Sequence, residues 1–277
     1  MKRQFSLLIS LFTYFNLFAQ KPLSIENKSF NGIEYVQYKG EYQNCYFAEA
    51  RKKIALDTPV TEMYWSDTVC SDLYFESIRL KDTTKKLDHF LKDFAFSLGN
   101  GEQMSYNDLC RMIDTSAKES ILNLSMNTEP LYQFAEILCI QKSMSEYAGG
   151  AHPNHAIFEV NWDVATDKCI FLKDLFLPGF ERKVQPYFKQ QLIQKYNEDF
   201  SDYFGDTITI SSHFSFNDST ISFDYSPYEL LPYAYGMVNL EIPYCEVKAF
   251  ATPYFKKQIK KHQKFLKRNR RSAYKKC

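Results

Sequence analysis

The chain has no CxxC pair, no HExxH stretch and no GxSxG turn. Zinc ribbons and zinc peptidases are built on the first two patterns, and α/β-hydrolases on the third, so none of these classes is expected. No Cys/His cluster has zinc spacing either, and neither a metal nor an organic cofactor is expected. Outside one run near the N-terminus there is no long apolar stretch, and the rest of the chain is expected to be soluble. No internal repeat and no low-complexity linker is present. Tryptophan is scarce, at 2 residues, but 24 Phe and 20 Tyr can bury a sizeable core, which excludes disorder.

The one apolar run, Phe5–Phe18, is uncharged, follows Met1-Lys2-Arg3 and ends before Ala19-Gln20-Lys21. A basic start, a short apolar centre and a small residue at the cut describe a secretory signal peptide over residues 1–19. The run is shorter than the roughly 20 apolar residues that span a bilayer. No Cys follows it closely, so lipid attachment is not expected. Cleavage near Ala19 would leave 258 residues in the periplasm or outside the cell, enough for one large domain or two small ones.

A net charge of +1 hides an uneven distribution. Residues 255–277 hold 11 Lys or Arg and no acid. Setting these aside, with Lys2 and Arg3, leaves 21 bases against 33 acids, so the body carries about −12. Phe255, Ile259, His262 and Phe265-Leu266 fall at helical spacing and predict a basic amphipathic helix. It could meet an anionic envelope surface, or pack by its apolar face on the acidic body. Export makes nucleic acid an unexpected partner.

Seven cysteines in an exported chain suggest disulfides, and an odd number leaves at least one thiol over. Cys45 and Cys70 flank a stretch that could close as a loop, and Cys169 and Cys245 are expected on strands that could be neighbours. Spacing alone fixes neither pairing.

Residues 29–74 are strand-like, with turn signals at Asn31-Gly32 and Asp57-Thr58-Pro59. A helix is predicted over 82–98, capped by Asp82 or Thr83 and stopped at Gly99-Asn100-Gly101, and a second over 105–113 behind Ser105 or Asn107. Ser120–Met126 and Leu131–Tyr147 should form a hairpin about Asn127–Pro130. Phe158, Val160, Trp162 and Val164 alternate with Glu159, Asn161 and Asp163, the pattern of a half-buried strand with the polar residues outward. Ala165–Lys168 turns into a strand at Cys169–Leu172. A helix follows over 180–200, in which Pro186 would be tolerated only in the first turn. Strands His213–Phe216 and Thr220–Tyr225 flank Asn217–Ser219, and Met237–Val247 is the last strand. Hairpin-linked strands with inserted helices predict an α+β fold: antiparallel sheets with helices packed on them, in two tandem modules over 20–145 and 146–254.

Two segments could carry function. In Tyr147–Pro153, Gly149 and Gly150 allow a sharp turn that leaves main-chain amides approachable, and His152 follows as a hydrogen-bonding or acid–base group. The same segment could be only a tight connection. In 226–236, Tyr228 and Tyr233 offer large rigid surfaces, Pro227 stiffens the chain and Glu229 adds a charge. Those rings could equally cover the core edge. His152 and His155 lack further ligands for a metal.

YAGGAHP at Tyr147–Pro153, VNWDVATDKCIFLKDLF at Val160–Phe176 and FDYSPYELLPYAYGMVNLEIPYCEV at Phe223–Val247 occur in this order. Through them the chain resembles the RsiV-like extracytoplasmic family. That family includes the outer part of a lysozyme-sensing anti-sigma factor and the non-catalytic part of a peptidoglycan deacetylase. The resemblance implies an α+β binding unit outside the cytoplasm, with Gly149–Pro153 and Pro227–Ala234 at the motif positions and Tyr228, Glu229 and Tyr233 as surface contacts. Only Met1–Gln4 precede the apolar run and no deacetylase domain follows Val247, so the binding unit alone is expected. The leading expectation is therefore an exported, non-catalytic binder of a wall-active enzyme such as lysozyme, or of peptidoglycan. The alternatives are a wall hydrolase with His152 as general base and a structural envelope protein held by its basic tail.

Overall fold

Asn31 and Gly32, at φ 47° and 85°, close the first hairpin, between β1 (Ser24–Phe30) and β2 (Ile33–Leu56). Two successive positive φ values are what an Asn-Gly hairpin turn favours. This computed structural model describes residues 24–56, 58–98, 104–116, 122–196 and 207–268. The leader at 1–19, the turn residue Asp57, the stop at Gly99–Gly101, the helix end at 197–200 and the tail at 269–277 lie outside them.

β2 pairs along its length with β3 (Thr58–Leu80), in a register that sets Cys45 opposite Cys70. α1 (Lys86–Phe94) and α2 (Tyr106–Ser116) then carry the chain across to β4 (Asn123–Phe134), which joins β3 in parallel. β5 (Ile137–Tyr147), β6 (Asn154–Asp163) and the short β7 (Lys168–Ile170) add on antiparallel, giving a seven-stranded sheet in sequence order. α3 (Leu172–Leu175) and α4 (Phe180–Tyr196) lead to a second sheet of β8 (Phe214–Phe216), β9 (Thr220–Tyr225) and β10 (Val238–Pro243). α5 (Tyr244–Val247) and α6 (Pro253–Arg268) follow. The fold is α+β, with antiparallel pairing dominant and helices packed on the sheets. The expected module boundary at 145/146 falls inside β5, near its end, and β5 is hydrogen-bonded to β6 in the same sheet.

The helices begin where polar groups take up their first amides. Ser105 Oγ accepts the Asp108 amide while Asp108 accepts the Ser105 amide and hydroxyl, a reciprocal cap for α2. For α1 the cap comes from afar: Asp167, in the β6–β7 turn, accepts the amides of Lys86 and Leu87. Asp82 is used instead by Thr84, so the helix starts at Lys86.

The two faces of the large sheet serve different cores. On one, Leu73, Phe75, Leu124 and Met126 meet α2, and Leu138, Ile140 and Trp162 meet α1. On the other, Phe134 and Ile137 enter a larger core with α4, α6 and the small sheet. β4 supplies both faces from even-numbered residues because its register shifts between Pro130 and Tyr132. A bulge inserts one residue and so exchanges the faces.

That bulge corrects the hairpin expected at Asn127–Pro130. Pro130 sits at the irregularity, where a missing donor is tolerated, and the chain reverses later, at Ala135 (φ 54°) and Glu136. α4 does start at Phe180, with Pro186 beyond its first turn. The carbonyl left without its helical donor is that of Arg182, an exposed residue that water can reach. The last strand ends at Pro243, so Cys245 lies on helix α5, and Cys169 on β7 is a free thiol: no bridge joins them.

Candidate functional site

Gly149 and Gly150, at φ 88° and 100°, turn the chain sharply between β5 and β6, and the Tyr147 hydroxyl donates to the Gly150 carbonyl at 3.0 Å. A side chain would be strained at either φ. The turn delivers His152 onto the face of Tyr233, 81 residues away, with ring centroids 3.7 Å apart and planes within 17°. The Tyr233 hydroxyl donates to the Pro153 carbonyl at 2.8 Å. His152 Nδ1 lies 3.1 Å from that carbonyl, a hydrogen bond in the tautomer that carries its proton on Nδ1. Tyr228 adds a third ring, 5.7 Å from Tyr233.

The 226–236 loop is held by its own backbone. The Tyr228 amide donates to Leu231 O and the Glu229 amide to Ser226 O, while the Glu229 carboxylate accepts the Ser226 amide. Leu230 and Leu231 are buried beneath it. Ser226 Oγ accepts the amide of Ile157 on β6, which ties the two loops together. Tyr228 has φ 72° and is 65% exposed. The left-handed region is uncommon for a non-glycine residue and costs about 1–2 kcal/mol, so the ring is displayed against a backbone penalty.

All seven residues singled out in the sequence therefore lie in two loops that meet. His152, Tyr233 and Tyr228 form the surface, Gly149, Gly150 and Pro227 shape the backbone, and Glu229 is turned onto its own loop.

Behind this surface lies a polar seam that the alternation in β6 concealed. Glu159, Asn161 and Asp163 were expected to face solvent; they are 5%, 1% and 2% exposed. Their face is covered by chain from the last third of the protein. Asn161 Nδ2 donates to Phe214 O at 2.6 Å, Asp163 accepts the Tyr254 hydroxyl at 2.8 Å, and Glu159 accepts the Gln141 amide at 3.1 Å. Burial, reinforced by the charge of Asp224, pushes the Glu159 carboxyl up to about 8, so it holds its proton at neutral pH. Burial likewise raises Asp224 and lowers His213. A cleft of about 480 Å³ is lined by Glu159, Asn161, His213 and Phe171 among others. Glu159 Oε2, Asn161 Oδ1 and His213 Nδ1 are buried without hydrogen-bond partners among the described residues. Period-two alternation cannot tell which face of a strand is covered. The available signal was that so many apolar elements follow β6 and need a sheet to pack on.

Among the described residues, no group of three or more His, Cys, Asp or Glu side chains could hold a metal ion, and no helix is long and apolar enough to cross a membrane.

No curated protein matches the chain in sequence. Residues 173–245, from α3 to the start of α5, match the family described as "Protein of unknown function (DUF3298)". That span contains Tyr228 and Tyr233 but not Gly149–Pro153, and its description names neither an activity nor an RsiV-like kinship. In three dimensions the chain is similar to a DUF3298 family protein from Pseudomonas aeruginosa PAO1, at 17% identity and TM-score 0.57, over 77% of this chain and 95% of that one. It is also similar to a DUF3298 family member from Bacteroides fragilis NCTC 9343, at 16% identity and TM-score 0.54, over 78% of this chain and 97% of that one. Residues 173–245 thus match the DUF3298 family model, and the fold is similar to that of two DUF3298 family proteins.

Proposed function

We propose that this is an exported, non-catalytic binding protein of the cell envelope, released by removal of residues 1–19. Its recognition surface is the aromatic step of His152, Tyr233 and Tyr228, and its partner is a wall-active enzyme such as lysozyme, or wall glycan. The observation that supports the reading is the meeting of the two loops: His152 stacked on Tyr233, with Tyr228 tilted against Tyr233 and kept exposed at a strained φ. Preorganised aromatic surface lowers the entropy lost on binding, which is how recognition surfaces commonly gain affinity. The partner class comes from the resemblance to the RsiV-like family.

Residues 20–277, passed over immobilised lysozyme and over insoluble peptidoglycan, test the reading. Retention on at least one, lost in Tyr228→Ala and in His152→Ala, is expected. Retention on neither would remove it. Cleavage of wall fragments that stops in folded His152→Ala would replace it with the hydrolase reading.

A further inference from the structure

α6 separates its residues into two opposed arcs. At 100° per residue, buried Phe255, Gln258, Ile259, His262 and Leu266 occupy an arc of about 100°. Lys256, Lys257, Lys260, Lys264, Lys267 and Arg268 occupy an arc of about 120° centred on the opposite side, and all six are exposed. A helix that was basic in order to hold the acidic body would spend its charges on that body. Among the described residues only Lys261 does so, pairing with Glu136, which also accepts from Gln258. The six others form no ion pair with the described residues. Phe265, 46% exposed, lies beside the buried arc, about 60° beyond Arg268.

The core face of α6 is already occupied, so the helix cannot insert as a free amphipathic peptide would. It is a straight row of fixed charges about 18 Å long from Lys256 to Arg268, standing on a rigid body. A row of this kind matches a flat field of negative charge and offers no groove to a single chain. We infer that the exposed cationic face of α6 docks the protein on an anionic phospholipid bilayer. Cations within a Debye length of such a surface, about 8 Å at physiological salt, gain from its potential. This inference is independent of the loop surface, because no α6 residue belongs to it.

The chain lacking residues 1–19, which contain none of the described fold, is sedimented with vesicles of phosphatidylglycerol and phosphatidylcholine in equal parts, and with phosphatidylcholine alone. Binding to the anionic vesicles only, reversed by 0.5 M salt, is expected. The triple variant Lys256→Glu/Lys260→Glu/Lys264→Glu should lose about 100-fold or more in affinity, and its thermal unfolding checks that the fold is retained. Lys256→Gln/Lys260→Gln/Lys264→Gln should fall between the two. Equal binding to neutral vesicles, an undiminished triple variant, or capture by purified anionic wall polymer but not by vesicles would each overturn the inference.

Discussion

Glu159 shows what covering a strand face does to a single side chain. Its carboxyl titrates at about 8 in the folded protein, against about 4.3 in an unfolded chain. Between those values the folded state holds the extra proton, so stability from this group is full at low pH and declines as pH rises toward 8. Glu159→Gln leaves an oxygen for Gln141 and abolishes the titration. The urea midpoint of that variant should therefore lose most of its decline between pH 5 and 8, Asp224 contributing what is left; a decline as steep as in the parent would show that other groups cause it. Lys142 is buried for a different reason. At 1% exposure it donates to Phe94 O at 2.9 Å, Ser97 O at 2.6 Å and Ser97 Oγ at 2.7 Å, closing the end of α1. Lys142→Met fills similar space and donates nothing. A loss of about 1–3 kcal/mol is expected in urea titration, with the circular dichroism spectrum unchanged.

Among the elements, the 226–236 loop holds its conformation at a measurable cost. Tyr228→Gly relieves the left-handed φ, so it should leave stability equal or raise it by about 1 kcal/mol while removing the displayed ring. Loss of partner retention together with a higher melting temperature would separate recognition from folding; a lower melting temperature would show that the ring is structural. The loop itself was legible in the sequence, as were the Asn31-Gly32 turn, the Ser105 cap and the hairpin about Asn217–Ser219, where Asn217 Oδ1 accepts the amides of Ser219 and Thr220. Each depends on a few adjacent residues. What was not legible depends on distant ones. The cap of α1 comes from Asp167, the bulge at Pro130 allows β4 to serve two cores, and the polar face of β6 is covered by chain more than fifty residues later. Likewise, Gly149–Pro153 and 226–236 each read as a possible binding segment, but nothing local told that His152 would lie on Tyr233.

At the scale of the whole molecule, α6 belongs to the core. Phe255 and Ile259 are fully buried and Leu266 is 1% exposed, against Phe134 and the small sheet. Removing residues 253–277 should thus abolish cooperative thermal unfolding, followed by circular dichroism. A truncated chain that melts in one sharp step would mean the core closes without the helix. Deleting the tail is accordingly a poor probe of its charges, and substitutions on the exposed arc are the cleaner one. The same arrangement bears on the order of assembly. Tyr254 meets Asp163, and Lys261 meets Glu136, 125 residues back along the chain. Contacts so remote in sequence form slowly, because a long loop must close before any of them can form. On a ribosome, the larger core stays open until residues beyond 253 have emerged, whereas the two cores against α1 and α2 need nothing past β7 and can close while the C-terminal third is still being made.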